Sequence, residues 1–284
     1  MSTDTKKQHY VWEYYLKAWA TKNKIWCLRK GKPLHTSTEN IAHERYFYRT
    51  SEFTPSEIKL VESILSLGKG LARTINLDTF RTYIEVSHAS ERSRRFGVEW
   101  HHGIIENKAL PIMKALRAGN PSILGNQKDR IDFCIFLGQQ YMRTKKIKES
   151  RLELPDNQAI PDEYKNCNFQ KIYEALAFVY ANNLGAQIHD TLEIRLVKNT
   201  SNINLITSDQ PIYNLAARPG EEAPEISIYY PVNPRLAIFA RKSPNLAELD
   251  TEAQVAELNA FMASNSHELL FAQSREDLQA FVSG

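Results

Sequence analysis

Cysteine is scarce in this chain of 284 residues, which contains only Cys27, Cys134 and Cys167. No two of them have the C-x-x-C spacing of a zinc site or a thiol redox motif. An odd number of widely separated cysteines also argues against a disulfide framework. The sequence therefore predicts three reduced thiols that lie in the interior.

Long apolar runs are absent as well. No stretch approaches the roughly 20 apolar residues that a helix needs to cross a bilayer. The polar residues 1–7 lack the apolar segment of a signal peptide. These absences predict a cytoplasmic protein that has no membrane partner.

Several motifs that would identify an activity are missing. Gly68-Lys69-Gly70 lacks the spacing of a phosphate-binding loop, and the chain has neither a dinucleotide fingerprint nor a Gly-x-Ser-x-Gly elbow. His101 and His102 are neighbours on a predicted helix, where their side chains diverge by about 100° and do not chelate a metal on one face. No cofactor is indicated, and a divalent metal stays open although no ligand motif points to one.

Charge is distributed unevenly along the chain. Residues 1–150 contain 26 Lys and Arg against 15 Asp and Glu, whereas residues 151–284 contain 10 against 18. A basic half of this kind favours an anionic partner such as nucleic acid. The alternative is that the two halves neutralise each other within the fold.

Hydrophobic periodicity also differs between the first and the second part of the chain. Residues up to about 184 show mainly helical spacing, and Thr54-Pro55-Ser56-Glu57 predicts a capped helix start. After Gly185 the alternation becomes that of strands, as in Leu236-Ala237-Ile238-Phe239-Ala240. This order predicts an α+β fold, with a helical N-terminal half packed on a small mixed or antiparallel C-terminal sheet and terminal helices.

The domain prediction follows from that order. We expect one domain over residues 1–284, with a helix-rich basic part at about 1–184 and a sheet-containing acidic part at about 185–284. The charged residues 147–160 are the best candidate for a long loop. In the first part, Lys24–Arg29 reads as a strand, and a turn at residues 30–33 then leads into an aromatic loop.

Four groups of residues resemble a known family. They are His9-Tyr10-Val11 with Tyr15-Leu16 and Trp19, Gln140 with Arg143-Thr144, Ile206-Thr207-Ser208-Asp209-Gln210-Pro211, and Asn259 with Ala263. Their order and spacing are similar to those of the bacterial family known as domain of unknown function 4238. The resemblance covers nearly the whole chain and implies a shared fold and a shared set of polar positions. Trp12 stands where the family usually has proline.

The resemblance and the chemistry of the side chains select four candidate site residues: His9, Gln140, Arg143 and Asp209. His9 suits a general acid or base, and Arg143 can bind a phosphate with two parallel hydrogen bonds. Asp209 follows a strand, where it could orient His9 or hold a metal. Gln140 shares a helix face with Arg143 and could position substrate or water.

These roles lead to two hypotheses. The first is a phosphodiester hydrolase resembling a nuclease, of a toxin or phage-defence kind, whose four residues converge in a cleft between the helices and the sheet. The second is a non-catalytic module that binds nucleic acid or an acidic protein through basic residues interleaved with Tyr46, Phe47, Tyr48 and Trp100. In the second case His9, Gln140 and Asp209 form a buried polar network that fixes the fold. Convergence in an open pocket favours the enzyme, and burial with internal pairing favours the module.

Overall fold

Helices dominate the first two-thirds of the chain. The computed structural model describes residues 4–150, 161–217, 223–242 and 248–282. The α-helices are α1 (Glu13–Leu16), α2 (Pro55–Leu65), α3 (Gly70–His88), α4 (Glu91–Arg117), α5 (Gln127–Met142), α6 (Lys145–Glu149), α7 (Phe169–Thr191) and α8 (Glu252–Asn265). None of the helices in these ranges is long and apolar enough to cross a membrane.

The strands form three sheets. The strands are β1 (Lys7–His9), β2 (Lys24–Arg29), β3 (Lys32–Ser37), β4 (His43–Arg45), β5 (Glu193–Lys198), β6 (Thr207–Ser208), β7 (Tyr213–Asn214), β8 (Ile228–Asn233), β9 (Leu236–Arg241) and β10 (Leu269–Ala272). The sheet orders are β1-β4, β3-β2-β10-β6 and β5-β9-β8-β7, and the pairs of neighbouring strands are antiparallel. The predicted α+β fold is confirmed.

The sheets are not confined to the C-terminal half. The central pair of the second sheet joins β2 to β10, with Cys27 opposite Phe271. The turn predicted at residues 30–33 was too long, because β3 already begins at Lys32. Pro33 is tolerated in β3 because that strand lies at the sheet edge. Three of the six β3 residues are exposed and none is buried, so the strand lacks the apolar alternation by which strands are recognised.

A local sequence signal places the start of α2 correctly. Thr54 caps α2, and its side chain and that of Glu57 form the reciprocal pair of a capping box.

Helix α4 runs without a break through Pro111. Part of the loop predicted at 147–160 is helical, because α6 occupies residues 145–149; residues 151–160 lie outside the described ranges.

The core lies between the helices and the two larger sheets. Tyr15 of α1 is fully buried, and its hydroxyl lies 2.6 Å from Thr207 Oγ1 while donating to the Pro231 carbonyl at 2.8 Å. One residue of α1 therefore links β6 to β8. Cys27 and Cys134 are buried as predicted, whereas Cys167 is only partly buried.

Candidate functional site

His9 is the last residue of β1, four positions before the start of α1. Its ring meets the edge of the His43 ring at a centroid distance of 5.2 Å, and its Nε2 has no hydrogen-bond partner among the described residues. Burial, and next the neighbouring His43, lower the pKa of His9 to about 4. The imidazole is therefore neutral at physiological pH.

Gln140 holds the connection between β1 and α1. It is fully buried, and its Oε1 accepts from the Trp12 N–H at 3.3 Å, while its Nε2 donates to the Tyr10 carbonyl at 3.1 Å. Arg143 donates to the same Oε1 at 2.8 Å. Both lone pairs of that oxygen are then in use, so Gln140 pins the segment that follows His9.

Arg143 is only 7% exposed. Its Nη2 donates to Glu106 of α4 at 2.5 Å as well as to Gln140. Glu99, about two helical turns before Glu106 on the same face of α4, also acts on this guanidinium. Burial raises the pKa of Glu99 to about 7 and also raises the pKa of Glu106. The Arg143 guanidinium is thus already engaged by the Glu106 carboxyl group of α4.

A cavity of about 60 Å³ lies against this cluster. Its walls include Tyr48, Tyr83, His102, Arg143 and Phe178. A space of this size holds a few water-sized groups, far less than the several hundred Å³ typical of sites for small-molecule ligands. Neither its volume nor the pairing of Arg143 with Glu106 suits a nucleotide.

Asp209 is fully buried at the end of β6. Its Oδ1 accepts the N–H of His267 at 2.8 Å, and its Oδ2 accepts those of Glu268 at 2.7 Å and Leu269 at 3.0 Å. Burial raises the pKa of Asp209, against these three N–H groups, which favour the ionised form. The carboxylate fastens the chain just before β10 and is not directed into an open cleft.

The four candidate residues therefore fall into two groups. His9, Gln140 and Arg143 surround the junction of β1 with α5, where the Tyr48 hydroxyl contacts the carbonyls of His9 and Arg143 at 3.1 and 3.4 Å. Asp209 has no hydrogen bond or ion pair to any of them. Its neighbour Gln210 instead accepts a hydrogen bond from Thr144. The cavity that Arg143 lines is bordered by neither His9 nor Asp209.

Within the described ranges, no group of three or more His, Cys, Asp or Glu side chains is arranged to hold a metal ion. His102 is fully buried against Tyr48, with ring centroids 4.6 Å apart. Burial lowers the pKa of His102. The imidazole is therefore a neutral packing group of α4.

An accessible arrangement of cations and rings lies at the start of α4. The Cζ atoms of Arg45 and Arg95 lie 5.3 and 5.1 Å from the Tyr46 ring centroid, and that of Arg92 lies 5.1 Å from the Trp100 ring centroid. We call these five residues the arginine–aromatic face. Phe96 joins its two halves, with its ring 5.8 Å from Tyr46 and 6.3 Å from Trp100.

The sequence identified this face only in part. The expected aromatic series included Phe47 and Tyr48, but both are buried and cannot stack on a ligand at the surface. Arg45 belongs to the predicted aromatic loop, but the sequence assigned it no role; it makes no ion pair in the described structure and lies against the Tyr46 ring. Its position beside Tyr46 in the sequence was the signal that could have found it.

Comparison with known proteins places the chain in one family. A family model described as Protein of unknown function (DUF4238) matches residues 7–276. The match includes the arginine–aromatic face and the residues His9, Gln140, Arg143 and Asp209. No curated protein and no solved structure matches the chain.

Proposed function

The chain belongs to the DUF4238 family, and we propose that it is a non-catalytic module that binds single-stranded nucleic acid on its arginine–aromatic face. The observation that carries the proposal is the stacking of three arginine guanidinium groups on Tyr46 and Trp100. Proteins that bind single strands combine cations that follow the phosphates with rings on which bases stack. Both kinds of group are present here and partly open to solvent.

Ion pairs on this face do not prevent phosphate binding. Arg92 pairs with Asp4 at 2.7 Å and Arg95 with Glu91 at 2.6 Å, and most of these side chains are over a third exposed. Exposed pairs of this kind contribute only about 0–1 kcal/mol. Phosphates can therefore replace the carboxylates at small cost, while Arg45 needs no such exchange.

The buried residues support the non-catalytic part of the proposal. Gln140 and Asp209 use their side-chain oxygens to hold backbone segments. The Arg143 guanidinium is paired with Glu106. These contacts explain the polar residues that the chain shares with its family as a network that fixes the fold.

Fluorescence anisotropy with labelled oligonucleotides tests the proposal. We expect the wild type to bind a single strand with micromolar or tighter affinity, and Tyr46→Ala to bind it about tenfold more weakly. For Arg45→Glu, the slope of log affinity against log salt concentration should fall by about the value of one phosphate contact. The matched controls are Lys114→Glu, an exposed charge reversal far along α4, and Tyr14→Ala, whose ring Arg117 covers at 4.5 Å. Absence of binding by the wild type, or equal losses in the controls, would refute the assignment.

Phosphodiester hydrolysis is the second candidate because of one observation at His9. Its Nε2 has no hydrogen-bond partner in the part of the chain that the structure describes, and its pKa of about 4 leaves the ring neutral, which is the state of a general base. Incubation of labelled oligonucleotides with Mg²⁺ should then yield cleavage that His9→Ala abolishes and His35→Ala retains. Uncleaved substrate with the wild type removes this candidate. Asp209→Ala is unsuitable for the test, since it strips three backbone N–H groups of their acceptor.

A further inference from the structure

The turn that joins α2 to α3 exposes large apolar side chains. Leu67 is 82% exposed, Leu71 is 74% exposed and Ile75 is 45% exposed. Residues 67–75 are all exposed, and we call this segment the hairpin tip. Isolated exposed leucines are common on protein surfaces, but a cluster of them marks an interaction site.

The charges of the hairpin tip have one sign. Lys69 and Arg73 lie between the apolar residues, and the segment contains no Asp or Glu. Neither cation forms an ion pair in the described structure. The following acid, Asp78, is already paired with Arg81 at 2.8 Å.

We propose that the hairpin tip docks the protein on an anionic lipid surface. Leu67 and Leu71 enter the boundary between headgroups and acyl chains, and Lys69 and Arg73 contact the lipid phosphates. Surface-bound helices combine these two contributions, apolar burial and attraction to anionic headgroups. The sequence predicted no membrane partner because it has no long apolar run. A search for membrane-spanning segments does not detect a surface site of this kind.

Charge complementarity selects lipid over the other occupants. A two-fold contact between two copies brings the same patch of each together, so it would oppose the Lys69 and Arg73 pairs of both chains. A nucleic acid would leave the leucines in water, because they offer neither rings for stacking nor groups for hydrogen bonding. The proposal is also independent of the arginine–aromatic face, which adjoins the other end of the 19-residue α3, roughly 27 Å away along the helix.

Vesicle co-sedimentation of the full chain provides the test. We expect binding to vesicles that contain phosphatidylglycerol and little binding to pure phosphatidylcholine. Leu67→Gln combined with Leu71→Gln should weaken the partition at least tenfold, and Lys69→Glu combined with Arg73→Glu should weaken it at least tenfold and remove the preference for anionic lipid. Leu34→Gln is the matched control, since Leu34 is an exposed leucine of β3.

Each outcome decides the proposal. Selective binding that the tip variants lose and Leu34→Gln retains supports docking on lipid. Failure of the wild type to bind anionic vesicles, or equal losses in the control, overturns it. Light scattering gives a further check: a wild-type dimer that the leucine variant converts to a monomer assigns the tip to a contact between copies. Because all four substituted residues of the tip are exposed, circular dichroism should show unchanged folding in every variant.

Discussion

At the scale of single residues, Trp12 shows how one substitution can alter a polar contact. Its backbone N–H donates to Gln140, the residue that fastens the chain between β1 and α1. Proline, which the family resemblance would place at position 12, has no N–H and cannot make this bond. In such a chain, Gln140 would retain its contacts to Tyr10 and Arg143, and its oxygen would have a free lone pair.

The sequence could identify the polar residues but not their partners. A glutamine beside an apolar stripe must find hydrogen bonds, and this need was visible at Gln140 from helical spacing alone. The acceptor of the Arg143 charge was not, because Glu99 and Glu106 belong to another helix. Spacing along one helix cannot report which carboxyl group a neighbouring helix will present.

Glu99 leads to a prediction about pH. Its pKa in the folded chain is about 7, above its ordinary value of 4.5, so folding favours the protonated form. The folded state therefore loses stability relative to the unfolded state as pH rises from about 4.5 to 7, by up to about 3 kcal/mol. Glu99→Gln should remove this decline, which urea unfolding at pH 5, 6, 7 and 8 would measure.

The comparison must be made between variants, because His9 contributes in the opposite direction. Its lowered pKa favours the neutral ring in the folded state, so its contribution is lost as pH falls from 6.5 toward 4. Glu85→Gln, an exposed change on α3, serves as the control. A stability difference between wild type and Glu99→Gln that stays constant with pH would contradict the role assigned to Glu99.

At the scale of elements, the contact between α5 and α7 depends on two glycines. A Cβ at Gly138 would lie 2.1 Å from the Ala181 carbonyl oxygen, and one at Gly185 would lie 2.8 Å from the Cys134 carbonyl oxygen. The two backbones therefore approach more closely than any side chain allows. This contact also positions the end of α5, which carries Gln140 and Arg143.

We predict that Gly138→Ala lowers the free energy of unfolding by about 3 kcal/mol, because the added methyl group forces the two helices apart. Gly103→Ala is the matched control: it lies within α4, where an added Cβ meets nothing within 4 Å. The control should raise stability by about 0.5–1 kcal/mol through the better helix propensity of alanine. Thermal or urea unfolding distinguishes the two, and equal effects would show that the close approach does not govern stability.

The same pair of glycines marks a limit of sequence-based prediction. The helical spacing around both Gly103 and Gly138 predicted helices, and α4 and α5 are present. Nothing in that spacing distinguishes a glycine required by a neighbouring backbone from one that faces open space. The difference arises only when α7 packs against α5.

At the scale of the whole molecule, part of the charge division is neutralised internally. Ion pairs join Lys59 to Glu163 and Lys145 to Glu268, so two cations of residues 1–150 are paired with carboxylates of residues 151–284. Neutralisation within the fold therefore accounts for part of the charge asymmetry. Some lysines stabilise the fold, while Arg45 and the cations of the hairpin tip have no such partner in the described structure.

Fold class was predictable because it depends on the order of periodic segments, which the sequence displays directly. The candidate site was harder to predict from the sequence. Its residues meet through strands of two or three residues, such as β1, β4 and β6, which are too short to establish a period of two. The strand pairing of His9 with His43 therefore appeared only in three dimensions.

The placement of β10 has a consequence for synthesis in the cell. Among the described strands it leaves the ribosome last, yet it separates β2 from β6 and binds both. Until it emerges, the nascent chain presents an open edge on β2 together with the apolar side chains of Ile25 and Cys27, which the finished fold encloses. Translation that stalls before Leu269 would leave this edge available to other chains, which is how strand-mediated aggregation begins.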